Sequence, residues 1–442
     1  GDVDGATIKG LCNKDIVNFQ TSLGTFTDND CSDNTWEITL STAEVNIGDN
    51  IVTVSGESAD GLVRSFDVNY HYCSSIDAVT AAGSYAAGSG DGTSFATPYL
   101  ISTAEELKKM YTNLGSFFKL TNDIDLKCKD LAPSGTLTGG LDGDDFSIDY
   151  FYHNGTTTAQ GLFRYMTNGE IYNLAMTNSY VKSTSNNIAL LVGYMNYSTS
   201  TNILKNNFVD GYVISASSES GLMTGFARDS RFNDNAFSGY LEGTDNIAGL
   251  AGYFYDKNYI RKTNGAAFVN GIGTGLKTGG VFGYLIHAYN EAHHTFFYGN
   301  VTSNGNDTGG IAGYINSYGV LSVGDFEGVV KSTSSTADNF GGVAGYFGGS
   351  SIYGFTVKAD IKSIDATVGG IVGYTTYGYD AYPIISNNYF KGLIEGDNNL
   401  GGIAGYGYYG IYLDNSVDAT VISHASAVDR QYAGLLIGAA TR

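Results

Sequence analysis

A short motif returns along this chain about every 30 residues, and that period constrains the fold more than any other feature. It is clearest as Gly309-Gly310-Ile311-Ala312-Gly313-Tyr314, Gly341-Gly342-Val343-Ala344-Gly345-Tyr346, Gly369-Gly370-Ile371-Val372-Gly373-Tyr374 and Gly401-Gly402-Ile403-Ala404-Gly405-Tyr406. Weaker copies carry Gly193, Gly225, Gly252, Gly283 and Gly438 at the equivalent glycine, and Gly161-Leu162-Phe163-Arg164-Tyr165 is a degenerate first copy. From Gly193 to Gly438 the successive spacings are 32, 27, 31, 30, 32, 28, 32 and 33 residues. A second block follows most copies, as in Phe208-Val209-Asp210-Gly211, Phe237-Ser238-Gly239, Phe297-Tyr298-Gly299, Phe326-Glu327-Gly328 and Phe390-Lys391-Gly392.

A fixed period of this length marks a repeat architecture, in which one unit cannot bury its own apolar side and stacked units can. The repeats are rich in Gly, Val, Ile, Phe and Tyr and poor in helix formers, which excludes helical repeats of similar length. Propeller blades need about 40–50 residues, and leucine-rich repeats need spaced leucines that are absent here. A β-solenoid remains. Aligned copies give an apolar column predicted to point inward: Phe163, Leu191, Met223, Leu250, Val281, Ile311, Val343, Ile371, Ile403 and Leu436. Glycines at fixed places fit turns of positive φ or the close approach of one coil to the next. Ten coils at about 4.8 Å each make a core roughly 48 Å long.

Residues 1–75 read differently. Trp36-Glu37-Ile38-Thr39-Leu40, Asn50-Ile51-Val52-Thr53-Val54 and Val63-Arg64-Ser65-Phe66-Asp67-Val68 alternate polar with apolar, between clusters of Asp, Asn and Gly. That pattern predicts a small β-sandwich. Residues 76–91 are Ser-, Ala- and Gly-rich and read as a linker. Ser102 with Glu105, or Thr103 with Glu106, forms a capping box for a short helix running to Asn113.

These segments carry a family resemblance. The Gly-Gly-Ile-Ala-Gly-Tyr motif resembles the GLUG repeat of bacterial surface and secreted proteins. Residues 92–107, from Gly92-Thr93-Ser94-Phe95 to Ala104-Glu105-Glu106-Leu107, are similar to the lead-in of such solenoids, as is Phe118-Lys119-Leu120-Thr121-Asn122-Asp123-Ile124-Asp125-Leu126. Leu141-Asp142-Gly143-Asp144-Asp145-Phe146-Ser147-Ile148 resembles the first coil, with the usual glycine and His replaced. The resemblance covers about residues 90–442. It implies a right-handed parallel β-helix, secreted or displayed, of a kind found in adhesins. The family has no single catalytic set to transfer. Residues 1–75 resemble only generic immunoglobulin-like surface modules. The expected fold is therefore all-β: a right-handed parallel β-helix of about ten coils over 92–442, a linker at 76–91, an immunoglobulin-like β-sandwich at 1–75 and one capping helix near 103–113.

Composition narrows the function. With 23 Lys and Arg against 44 Asp and Glu, the formal charge is −21. Such a chain repels nucleic acid and anionic membranes. No run of 18 apolar residues occurs, so no helix is expected to span a bilayer. The chain opens at Gly1 without an initiator Met or signal peptide, so its natural start is expected upstream. The four cysteines, Cys12, Cys31, Cys73 and Cys128, do not have zinc-site spacing. Disulfides in an oxidising compartment are one reading and free buried thiols the other, and sequence does not choose among the three pairings.

Candidate chemistry is sparse. Asp142, Asp144, Asp145 and Asp149 are the densest acids, a candidate Ca²⁺ site or a solvated turn. Asp28, Asp30 and Asp33 lack the EF-hand pattern and read as a polar turn. His287, Glu291, His293 and His294 are read as an exposed loop, with metal binding the rival. No cofactor other than Ca²⁺ is a candidate, and no catalytic residue is assigned. The aromatic column Tyr194, Phe226, Tyr253, Tyr284, Tyr314, Tyr346, Tyr374 and Tyr406 is either a structural ladder, the preferred reading, or an outward face for glycans. The apolar last repeat, Gly434-Leu435-Leu436-Ile437-Gly438, has no polar cap, which predicts head-to-tail self-association. The reading that results is a non-enzymatic extracellular structural or adhesive protein that partners its own copies or other surface components. A glycan-binding adhesin is the alternative, and a polysaccharide lyase or hydrolase stands behind it.

Overall fold

A computed structural model describes residues 6–12, 16–29, 31, 35–41, 43–73, 75–273, 276–287, 289–316, 318–332, 334, 337–364, 366–378, 382–424 and 432–441. The chain divides into two compact units, Gly1–Asp77 with Lys127–Lys129, and Ala78–Leu126 with Asp130–Arg442.

The first unit holds two antiparallel sheets of three strands each. Thr35–Leu40 pairs with Ala6–Leu11 and with Thr25–Asp28, and Gly48–Ser58 pairs with Ile16–Thr21 and with Val63–Tyr72. Period-two alternation sends Trp36, Ile38 and Leu40 from one sheet and Val52 and Val54 from the other into a single core. Two disulfides, Cys12–Cys31 and Cys73–Cys128, lie in this unit. All four cysteines are therefore paired.

The second unit is a right-handed parallel β-solenoid of about ten turns. A complete coil has three strands, as in Asn339–Gly341, Ala344–Gly348 and Ser351–Lys362. Stacked coils build sheets of 8, 11 and 19 strands. At the motif the chain bends, so consecutive side chains both point inward. Ile311 and Ala312 are fully buried, as are Val343 with Ala344 and Ile371 with Val372. The second motif glycine serves close approach: a Cβ on Gly370 would sit 2.1 Å from the Gly402 carbonyl oxygen of the next coil.

The first copy aligns differently from the sequence expectation. Phe163 pairs with Val192, so Leu162, not Phe163, stands in the Leu191 column, and Arg164 takes the place of a glycine. On that side the ladder of the eight-stranded sheet continues as single bridges from Ser220 through Ile188 to Gln160, in Arg164's own coil, where Arg164 Nε donates to the Ala159 carbonyl at 3.2 Å and its terminal nitrogen to the Thr158 carbonyl at 2.8 Å. In the second block the inward column runs Val209, Phe237, Gly265, Phe297, Phe326, Val357 and Phe390. Phe208 falls one residue early and points outward.

Polar ladders accompany the apolar ones. The buried Asn207 Nδ2 donates to Asn235 Oδ1 at 3.2 Å, Asn258 Nδ2 to Asn290 Oδ1 at 2.9 Å, and Asn388 Nδ2 to Asn415 Oδ1 at 3.0 Å. Asn235 Nδ2 in turn donates to the Leu204 carbonyl at 2.8 Å. These amides satisfy backbone groups at bends that strand pairing leaves open.

Helix α1 (Ala104–Met110) lies ahead of the first coils, with Leu107 and Met110 fully buried. Thr103 is its N-cap, accepting from the Glu106 N–H at 3.2 Å, while Glu106 accepts from the Ser102 N–H at 2.7 Å. The helix is shorter than expected. Beyond Met110, Thr112 and Asn113 make i→i−3 bonds to Lys109 and Met110, so the chain tightens before Gly115. The Ser-, Ala- and Gly-rich stretch is tied alongside, with Ala82 N–H donating to Glu105 O and Ala86 N–H to Leu100 O. Tyr85 stacks on Tyr99 at 4.3 Å.

Candidate functional site

The aromatic column lies on the outer face of the eleven-stranded sheet, in strict register from Tyr165 and Tyr194 to Tyr374 and Tyr406. Coil spacing and ring-stacking distance nearly coincide. Tyr314 and Tyr346 stack at 4.3 Å and 4°, Tyr374 and Tyr406 at 5.2 Å and 7°, and Tyr194 and Phe226 at 4.4 Å and 7°. Within these pairs the rings cover one another's faces and offer solvent their edges and hydroxyls, whereas Phe226 and Tyr253 meet at 59° and Tyr284 and Tyr314 at 75°. Burial raises the pKa values of Tyr253, Tyr284 and Tyr314 above the usual tyrosine value, so these phenols remain O–H donors at neutral pH.

A polar column runs beside the tyrosines on the eight-stranded sheet, where Lys277, Asp307, Asn339 and Thr367 align in successive coils. Asp307 is 5% exposed. It accepts from Asn339 Nδ2 at 2.8 Å, and Lys277 Nζ lies 3.6 Å away. Burial nevertheless pushes its carboxyl up to about 6. Burial also raises Glu219 and Asp245. Toward the C-terminal coils the two columns enclose an open groove of about 470 Å³ lined by Asp338, Asn339, Tyr346, Tyr374, Asn399 and Tyr406, with Thr367 and Asn398.

The other sequence candidates are dispersed. Asp142 accepts from Asn173 Nδ2 at 3.1 Å, and Asp144 pairs with Lys119 at 3.0 Å. Asp149 accepts from the Ser147 hydroxyl at 2.8 Å and from that of Thr177. Asp145 does not complete a cluster: among the described residues the one group of three donors within 4.8 Å is His71, Cys73 and Cys128, whose cysteines are disulfide-bonded. Glu291, His293 and His294 lie on the strand Glu291–Ser303, not on a loop, because Ala292 and Thr295 are drawn into the core. His293 meets Glu291 at 3.6 Å and the Ser322 hydroxyl, whereas His287 packs on Tyr255 at 4.3 Å. Asp28 ends a strand, and Asp30 and Asp33 lie outside the described residues.

Sequence reasoning missed a second aromatic group. Tyr377 and Tyr382 meet edge to face at 5.5 Å, and Tyr409 lies 6.1 and 6.0 Å from them. Tyr408 adjoins Tyr409 at 4.2 Å. The signal was available as Tyr374-Thr375-Thr376-Tyr377 and Tyr406-Gly407-Tyr408-Tyr409, a local excess of tyrosine outside the periodic position.

No family model matches the chain, and no curated protein does. The solved structures similar to it include two described by name. A presumed immunoglobulin A1 protease from Bacteroides ovatus is 19% identical, with a TM-score of 0.40, covering 80% of this chain and 86% of that one. A family 28 exopolygalacturonase from Yersinia enterocolitica is 10% identical, with a TM-score of 0.22, covering 99% and 97%.

Proposed function

We propose that this chain is a non-enzymatic extracellular protein that serves as an adhesive surface scaffold. The groove carries this reading: regular stacking of coils places tyrosine hydroxyls and side-chain amides along one open channel. Two disulfides accord with an oxidising compartment. The densest acidic stretch supports a non-catalytic role, because Asp142, Asp144 and Asp149 are engaged by an amide, a lysine and hydroxyls. Beads coated with the chain should adhere to mucin- or polysaccharide-coated surfaces, and the chain should release no reducing ends from them. Adhesion equal to that of heat-denatured chain, or steady product release, would sink the proposal.

A second reading is end-to-end assembly. Leu435 and Leu436 are 71% and 55% exposed, whereas Ile403, which aligns with Leu436 one coil earlier, is 1% exposed. A coil from a second copy would cover them. Electron microscopy at rising concentration tests this, with filaments expected and unchanging short rods counting against it.

A further inference from the structure

We propose that the C-terminal end of the Tyr-lined groove, together with Tyr377, Tyr382, Tyr408 and Tyr409, forms a binding site for a neutral polysaccharide. This deepens the adhesive reading and rests on it. Tyr346 and Tyr374, the periodic tyrosines inside the groove, are poor platforms for a sugar ring, since stacked neighbours cover both their faces. Tyr377 and Tyr382 are not in that stack. They meet at 73° and are 48% and 52% exposed, so about half of each ring remains open. Flat open rings of this kind pack against the C–H face of a pyranose while the phenol stays wet.

The groove supplies the complementary polar groups. Asn399 and Asn339 each present an amide, a donor and an acceptor in one plane, and Asp338 adds an exposed acceptor. Groove and ring cluster are joined along the strand Ala404–Tyr408, where Tyr406 of the groove lies two residues before Tyr408 on the same face and Tyr408 adjoins Tyr409. A chain of sugars lying along the groove would thus reach from amides to open rings.

Charge selects the class of polysaccharide. None of the described lining residues is lysine or arginine, and Asp338 is a carboxylate. Lys277 sits by Tyr314, two coils away from Tyr374, and pairs with Asp307. With a chain charge of −21 around it, the groove repels uronates, sulfates and sialic acids. A neutral chain of hydroxyls meets no such penalty.

Affinity electrophoresis of the full chain tests the site, with gels containing xyloglucan, arabinoxylan, β-mannan or β-glucan against gels containing polygalacturonate, alginate or heparin. At least one neutral polysaccharide should retard the chain, and the acidic ones should not. The double variant Tyr377→Ala, Tyr382→Ala should lose affinity by roughly tenfold or more, the worth of two ring contacts. Its far-UV circular dichroism should be unchanged, because both rings are half-exposed outside the strands. Asn399→Ala should weaken retardation in the same direction. Three results overturn the site: no retardation by any neutral polysaccharide, equal retardation by acidic ones, or a folded double variant that binds undiminished. If coated beads still adhere while no neutral polysaccharide competes, the site fails and the adhesive reading stands. If beads adhere to nothing, the adhesive reading itself fails.

Discussion

Replacing Asp307 by asparagine should make the solenoid more stable at neutral pH. The carboxylate is 5% exposed, and burial outweighs both the Asn339 amide at 2.8 Å and the Lys277 ammonium at 3.6 Å. Its pKa is pushed from 3.8 up to about 6. Between those values the folded chain holds a proton that the unfolded chain has released. Unfolding free energy therefore falls as pH rises through that window and stays lowered above it. A pKa displaced that far corresponds to about 3 kcal/mol at pH 7. Asparagine keeps the acceptor for Asn339, and the displaced pKa already contains the attraction of Lys277 that the variant gives up, so a net gain of up to about 3 kcal/mol is expected. The assay is urea unfolding at pH 4.5 and 7.5, followed by far-UV circular dichroism. Fluorescence of Trp36, the one tryptophan, reports the N-terminal unit instead. The parent should lose stability between the two pH values and the variant should lose much less. A variant that is less stable than the parent at pH 7.5, or that keeps the parent's pH dependence, would refute the reasoning.

Phe326→Ala should lower the solenoid's urea midpoint by the equivalent of about 3–5 kcal/mol, because a fully buried ring stacked on Phe297 at 6.0 Å leaves a cavity. Phe326→Leu should cost much less in the same titration. Asn235→Ala should cost about 1–3 kcal/mol, since it strands the Leu204 carbonyl and the Asn207 N–H, and Asn235→Ser should not restore it. Reduction with dithiothreitol should lower the unfolding midpoint seen by Trp36 fluorescence, at about 2–4 kcal/mol per bridge, and leave the solenoid's dichroism transition in place. A loss seen equally by both probes would contradict that division.

Much of the fold was legible because its information is periodic. One residue in a coil meets its equivalent in the next, so Ile311, Val343 and Ile371 announce a column without any knowledge of the turns. The capping box was legible for a local reason, since Thr103 and Glu106 bond within one turn. The degenerate first copy was not, because its register depends on which glycines an earlier coil requires, and the bridges on that side start at Gln160, in Arg164's own coil. The asparagine ladders were hidden by composition. Asn207 and Asn235, like Asn258 and Asn290, look like ordinary turn residues until the bends place each pair's amides over one another. The carboxylates of 142–149 show the reverse: close in sequence, they engage different partners once the chain is folded.

The same periodicity explains why recognition belongs where the repeat is broken. From Tyr314 to Tyr406 a tyrosine at a fixed position in successive coils stacks on its neighbour, since coils rise by about 4.8 Å and rings pack at 4.3–5.5 Å in these pairs. Each added coil stabilises the ladder and covers one more ring face. A surface that repeats perfectly therefore leaves edges and hydroxyls but little flat aromatic area. Tyr377, Tyr382 and Tyr409 lie off the ladder, and Tyr377 and Tyr382 keep about half of their surface open, where the Tyr314–Tyr406 run is stacked ring on ring. Stability accordingly resides in the repeated positions, and the open faces for a ligand lie at the exceptions to them.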